Sequence, residues 1–145
     1  MVYARKAAGM AIILMAGVVA WLLLRPDPEP NQVEPAVDSV ALADVTVPES
    51  LSARARAGER IFVENCVTCH GINAAGKDGI GPPLVHIFYE PSHHGDEAIQ
   101  RAVAVGVTSH HWSFGDMAPI DGLTRSDVGL VIAYIRELQR ANGIR

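Results

Sequence analysis

The chain has 145 residues, enough for one domain of ordinary size, and carries 12 Lys and Arg against 16 Asp and Glu for a net charge of −4. No stretch gathers the basic residues into a patch, which excludes a nucleic-acid-binding surface.

In chain order, Arg5 and Lys6 precede an unbroken apolar run from Ala7 to Leu24. As a helix at about 1.5 Å per residue, that run is roughly 27 Å long, close to the hydrocarbon thickness of a bilayer. The flanking cations predict a cytoplasmic N-terminus, with everything after Leu24 outside. Residues 1–25 are therefore expected to form an uncleaved signal-anchor, with Trp21 near the exit interface. A cleaved secretory signal is the alternative, because Val18-Val19-Ala20 would serve as a cleavage site. The continuation through Trp21-Leu22-Leu23-Leu24 favours the anchor. Either reading exports the rest of the chain.

Residues 26–50 read as a linker. Pro26-Asp27-Pro28-Glu29-Pro30 opens it, and Pro35, Pro48 and the acids Glu34, Asp38, Asp44 and Glu49 continue it. Proline stiffens such a segment and like charges extend it, so it could span up to roughly 75 Å at about 3.1 Å per residue. Its more apolar part, Val37 to Val47, has the composition to lie along a domain rather than float.

Residues 51–145 form the expected domain. Ala53 to Phe62 favours helix, with Gly58 and Phe62 one turn apart on one face. Asn73 to Pro83 is broken by Gly76, Gly79, Gly81, Pro82 and Pro83 and reads as a loop. Asp96 to Val105 reads as a second helix ended by Gly106, and Val107 to Asp121 as irregular. Thr124-Arg125-Ser126-Asp127 is a capping box. It opens a helix whose apolar positions Val128, Val131, Ile132, Ile135 and Leu138 recur with helical period, and Asn142-Gly143 stops it. No internal repeat or strand pattern is present. A domain of this size has little core of its own, and a buried apolar cofactor would enlarge it.

The chemistry concentrates at Cys66-Val67-Thr68-Cys69-His70, which holds the only two cysteines. C-x-x-C-H marks covalent attachment of a c-type haem: two thiols on one helical turn reach the two vinyl groups along one edge, and the following imidazole meets the iron. A redox dithiol would want a βαβ context, a zinc site would want two further ligands, and a structural disulfide is the plain alternative. His70 is thus the expected proximal ligand. A c-type electron carrier takes methionine or a second histidine as the sixth ligand. Met1, Met10 and Met15 fall in the anchor, leaving Met117, on an irregular segment between Gly115 and Pro119.

From Leu51 to its end the sequence resembles a class I cytochrome c. The matching pieces fall in family order: Gly58 and Phe62 on the first helix, Cys66, Cys69 and His70, the Gly81-Pro82-Pro83-Leu84 loop, Met117 with Pro119 close behind, and Val131 and Tyr134 on the last helix. The resemblance implies an all-α fold of three to five helices around one covalent haem c, with the N-terminal transmembrane helix added here. It implies that the Pro82 carbonyl accepts a hydrogen bond from the His70 ring, and that Gly58 lets the first and last helices approach closely. Two departures stand out. Ala118 occupies a position where many relatives have proline, and Lys77 is the only lysine after the anchor, so a lysine-ringed docking face is not expected.

Tyr89 and Trp112 are candidate pocket or propionate partners, and Arg101 a candidate propionate cation. The pairs His93-His94 and His110-His111 read first as polar cover over the haem edge. An auxiliary copper or zinc site is the sharper reading, weakened because the pairs are far apart in sequence and adjacent side chains on a strand or loop usually diverge.

Together these features resemble bacterial inner-membrane electron carriers, single-pass, with the haem domain in the periplasm. The implied role is non-enzymatic: single-electron transfer from a quinol–cytochrome c oxidoreductase to a terminal oxidase or reaction centre. Two alternatives stay open: a permanent haem-carrying subunit of a larger dehydrogenase or oxidase, and a haem enzyme or gas sensor with a vacant sixth position.

Overall fold

The computed structural model describes Trp21 and residues 40–145. The expected anchor, Trp21 apart, and residues 26–39 of the expected linker lie outside these. Among the described residues no helix is long and apolar enough to cross a membrane.

Four α-helices carry the domain: α1 (Ala53–Asn65), α2 (Val67–His70), α3 (Asp96–Val105) and α4 (Arg125–Ala141). Short 3-10 turns, Ile72–Ala74 and Ile87–Tyr89, punctuate the intervening loops. Among the described residues there is no strand, only two isolated antiparallel bridges, Lys77–Gly81 and Val107–Met117.

Each helix begins where its cap allows. Ser52 accepts a hydrogen bond from the Ala55 amide and starts α1. The helix runs past Phe62 to Asn65, since nothing in Val63-Glu64-Asn65 breaks it. Gly95 precedes α3, whose first turn holds Asp96 and Glu97 where acids suit the helix dipole. The expected capping box is formed at α4: the Thr124 hydroxyl accepts from the Asp127 amide while the Asp127 carboxylate accepts from the Thr124 amide.

The core sits where α1 crosses α4. Ala55 and Phe62 pack with Val131, Tyr134, Ile135 and Leu138, and the Phe62 and Tyr134 rings meet at 5.5 Å. Gly58 makes the crossing possible. A Cβ built there would stand 1.9 Å from the Leu130 carbonyl oxygen, so the two backbones touch. A second cluster, Val103, Val128 and Ile132 with Ile99, Ile120 and Leu123, seats α3 against the start of α4.

The packed domain reaches back before Leu51. The Leu42 and Ala43 amides donate to the Ala75 carbonyl, Asp78 N–H donates to the Val40 carbonyl, and Thr46 exchanges two hydrogen bonds with Asn142. Val45 packs against the main core. The later, more apolar half of the acidic segment therefore lies along the domain, as its composition allows.

Candidate haem-binding site

Three chain segments converge on one cavity of about 490 Å³, lined mostly by apolar atoms. The first is the α1–α2 corner. Cys66 closes α1 by donating its amide to the Phe62 carbonyl, and α2 turns His70 toward the cavity. Cys66 is buried on the cavity wall. Cys69 is exposed and stands outside that wall. No disulfide joins them. Burial, and then the nearby Cys69, push the Cys66 thiol up to about 11. An attacking redox thiol needs the opposite shift, so burial speaks against Cys66 in that role.

The second segment is the loop Gly81 to Leu84, which crosses directly under the cysteine motif. A Cβ on Gly81 would lie 2.5 Å from the Cys69 carbonyl oxygen, so only glycine permits this approach. The crossing delivers the Pro82 carbonyl to His70, whose Nδ1–H donates to it at 2.9 Å. That bond fixes the tautomer and leaves Nε2 with the free lone pair. Burial holds the ring below the ordinary imidazole pKa, and the Pro82 carbonyl partly opposes the shift. The imidazole is neutral at pH 7 and ready to act as a ligand.

The third segment is the irregular stretch Val107 to Ile120. It is less free than its composition suggests. Val107 and Met117 exchange both backbone hydrogen bonds at 2.9 Å, closing the loop at its base and presenting Met117 on the cavity wall. Within the loop, the Ser109 amide donates to the Asp116 carboxylate and its hydroxyl to the Trp112 carbonyl. Trp112 and Tyr89 both line the cavity. Burial raises the Tyr89 phenol, and the neighbouring Trp112 indole partly offsets this. That indole nonetheless makes no hydrogen bond of ordinary geometry: Trp112 Nε1 is buried without a partner. Arg101 lines the same cavity.

The wall thus offers a thiol, an imidazole with its basic nitrogen free, a thioether, apolar faces from Leu84, Val131 and Ile135, and an unsatisfied donor. This set fits a haem. The macrocycle would fill the apolar space, and a propionate would give Trp112 Nε1 the acceptor it lacks.

One residue that holds the site gave no signal as such in the sequence. Arg136, on α4, is 7% exposed. Its guanidinium pairs with Asp96 at 2.9 Å and donates to the Tyr89 and His94 carbonyls and to Gln139 Oε1. One side chain thereby ties the Tyr89 turn, the histidine loop and the start of α3 to the core helix. Its only sequence trace is an arginine next to Ile135 in an apolar stripe.

The histidine pairs depart from expectation. Glu90 to Gly95 is a tight turn in which the His93 and His94 amides both donate to the Glu90 carbonyl. Adjacent side chains there need not diverge as on a strand. The turn brings one ligand atom each of His93, His94 and His111 within 4.8 Å of one another, with His110 stacked on His94. Desolvation, followed by the neighbouring imidazoles of His110, His94, His93 and His86, lowers the pKa of His111.

Comparison with known proteins agrees with this geometry. The family model for cytochrome c matches residues 55–139. The cytochrome bc1 complex cytochrome c subunit of Mycobacterium tuberculosis (strain ATCC 25618 / H37Rv) is 32% identical over 105 residues, covering 70% of this chain and 30% of that protein. The cbb3-type cytochrome c oxidase subunit FixPc of Rhizobium leguminosarum bv. viciae is 42% identical over 50 residues, covering 34% of this chain and 17% of its own length. The corresponding subunit CcoP of Rhodobacter capsulatus is 38% identical over 55 residues, 38% of this chain and 18% of that one. The chain thus matches less than a third of each of these relatives. No solved structure matches it. With the family model spanning the cysteine motif, the Met117 loop and most of α4, this chain belongs to the class I cytochrome c family, an electron-transfer protein carrying covalently attached haem c.

Proposed function

We propose that this protein is a membrane-tethered monohaem cytochrome that passes single electrons between membrane redox complexes. In this reading Cys66 and Cys69 would carry the thioether bonds, His70 Nε2 and Met117 Sδ would ligate the iron, and Tyr89, Trp112 and the Pro82 carbonyl would complete the pocket. The bound haem supplies one reversible one-electron couple. The chain's own part is to hold that couple dry and poised. Thioether ligation favours the ferrous state and raises the potential. The Pro82 hydrogen bond orients the imidazole and strengthens it as a donor.

The observation that carries the reading is that Met117, far along the chain from the cysteine motif, lines one cavity with Cys66 and His70. Met117→Ala tests it. The expected result is loss of the sulfur–iron charge-transfer band, a markedly lower potential, and carbon monoxide binding by the reduced protein at neutral pH. An unchanged spectrum would make another residue, His110 or His111, the ligand. Carbon monoxide binding by the unmodified protein would instead support a sensor or enzyme.

The apolar run before the linker supports a single-pass inner-membrane anchor with the haem domain in the periplasm. A tether replaces diffusion by a high local concentration near its partners. The proposed donor is a quinol–cytochrome c oxidoreductase, and the acceptor a terminal oxidase or reaction centre. Exported protein is expected in the membrane fraction; a soluble form beginning at Trp21 would mean cleavage. The relatives' names favour a second reading, a permanent subunit of such a complex. Stoichiometric co-purification with one enzyme in mild detergent would select it.

A further inference from the structure

We propose that His93, His94 and His111 form a binding site for a tetrahedral divalent metal ion of the zinc type. The Nε2 atoms of His93 and His111 stand 3.2 Å apart. Two nitrogens bound to one tetrahedral zinc at about 2.0–2.1 Å would be separated by about 3.3 Å. The two imidazoles are therefore already spaced as a pair of ligands. The third nitrogen lies within 4.8 Å of them. It needs to close by at most about 1.5 Å, which side-chain rotation supplies.

The surroundings hold the rings in place. The His111 ring stacks on Phe88 at 4.7 Å and 22°. His94 Nδ1–H donates to the Phe88 carbonyl at 2.5 Å, the kind of outer hydrogen bond that fixes the tautomer of a metal-binding histidine. Both loops are anchored through their backbones: His94 by the buried Arg136 guanidinium, and the segment before His111 by Ser109. Loops fixed in advance have less entropy to lose on binding the ion. Three imidazoles without a carboxylate or thiolate suit zinc or copper over magnesium or calcium. His93 is exposed, so the ion has a path from solvent and water can complete its coordination. All three histidines line the haem cavity, and the site rests on the proposed function in that Met117, not His111, is the sixth haem ligand.

The test uses the full-length, untagged haem-bearing protein, stripped with chelator and titrated with ZnCl2 in a calorimeter, with metal analysis after dialysis. One ion per chain is expected. His93→Ala and His111→Ala should each weaken binding at least about tenfold, and the double variant should abolish it. His86→Ala, outside the trio, should bind as the unmodified protein does. Cu2+ should occupy the same site, giving nitrogen hyperfine structure in its paramagnetic resonance spectrum that the double variant lacks. An unchanged haem spectrum in every variant keeps the outcome separate from the axial-ligand reading. Absence of a stoichiometric ion, or equal affinity in the double variant, overturns the site. So does a result in which the variants move the haem potential but the unmodified protein takes up no metal, which would leave the histidines as polar cover alone.

Discussion

The α1–α4 crossing and the loops that wall the cavity are held by different forces. The crossing is apolar and relies on shape: Phe62, Tyr134, Ile135 and Leu138 interlock around a backbone contact at Gly58. The walls are polar and rely on a few directed bonds: the Val107–Met117 bridge, the His70–Pro82 hydrogen bond and the Arg136 fan. A shape-held contact tolerates no added atom. A bond-held loop tolerates added bulk but not a lost partner.

Two glycines on these same helices expose the first half of that contrast. At Gly58 an added Cβ meets only backbone, Leu130 O at 1.9 Å and Leu130 C at 2.4 Å, which cannot rotate away. At Gly129 it meets the ends of Arg54 and Gln100 at 3.3 and 3.9 Å, both flexible. Alanine is favoured over glycine in a helix by about 1 kcal/mol. At Gly58 the steric cost overrides that preference, and Gly58→Ala is expected to destabilise by about 3 kcal/mol. At Gly129 only the flexible end of Arg54 has to give, by a few tenths of an ångström, so Gly129→Ala should stabilise by roughly 0.5–1 kcal/mol. Denaturant midpoints of the two variants measure both, and equal signs would remove the distinction.

Arg136→Met probes the second half. Methionine fills much of the volume but strips donors from the His94 carbonyl and Gln139 Oε1, while Tyr89 keeps a bond from Gln139 Nε2. Buried acceptors left without partners predict a loss of about 2–3 kcal/mol. The loss should appear as loosening near the cavity: faster amide exchange around Tyr89 and His94, with the α1–α4 amides still protected. Uniform loss of protection would mean that Arg136 serves the core rather than the wall.

The same division governs what the sequence makes legible. Helical periodicity and caps are local, so α3, α4 and most of α1 stand where Asp96–Val105, Thr124–Asp127 and Ala53–Phe62 imply. Cys66-x-x-Cys69-His70 announces its chemistry by spacing alone, and Met117 emerges because no other methionine lies in the domain. The non-local polar ties leave no such trace. Nothing in the text around Val107 predicts a bridge to Met117. Nothing around Arg136 predicts that it reaches three segments at once. The rule of diverging neighbours, which weakens a metal reading of the two histidine pairs, does not hold in the tight Glu90–Gly95 turn.

The smallest expected effect lies at the α4 cap, which belongs to neither regime and separates them by its pH response. The Thr124 hydroxyl and amide both favour the Asp127 carboxylate, the hydroxyl more, holding its pKa below the ordinary 3.8. A carboxylate depressed in the folded state binds fewer protons there than in the unfolded chain, so it adds stability above about pH 3.8. That contribution fades as pH falls through the folded value. Thr124→Ala removes the N-cap and the hydroxyl together, and should cost about 1 kcal/mol at pH 7. Because part of that cost depends on an ionised Asp127, the gap between the variant and the unmodified protein should narrow in acid. Thermal melts at pH 7 and below pH 3.5 read the narrowing. A gap that stays constant would assign the cap's contribution to backbone geometry alone, aligning α4's start with the shape-held crossing rather than the bond-held walls.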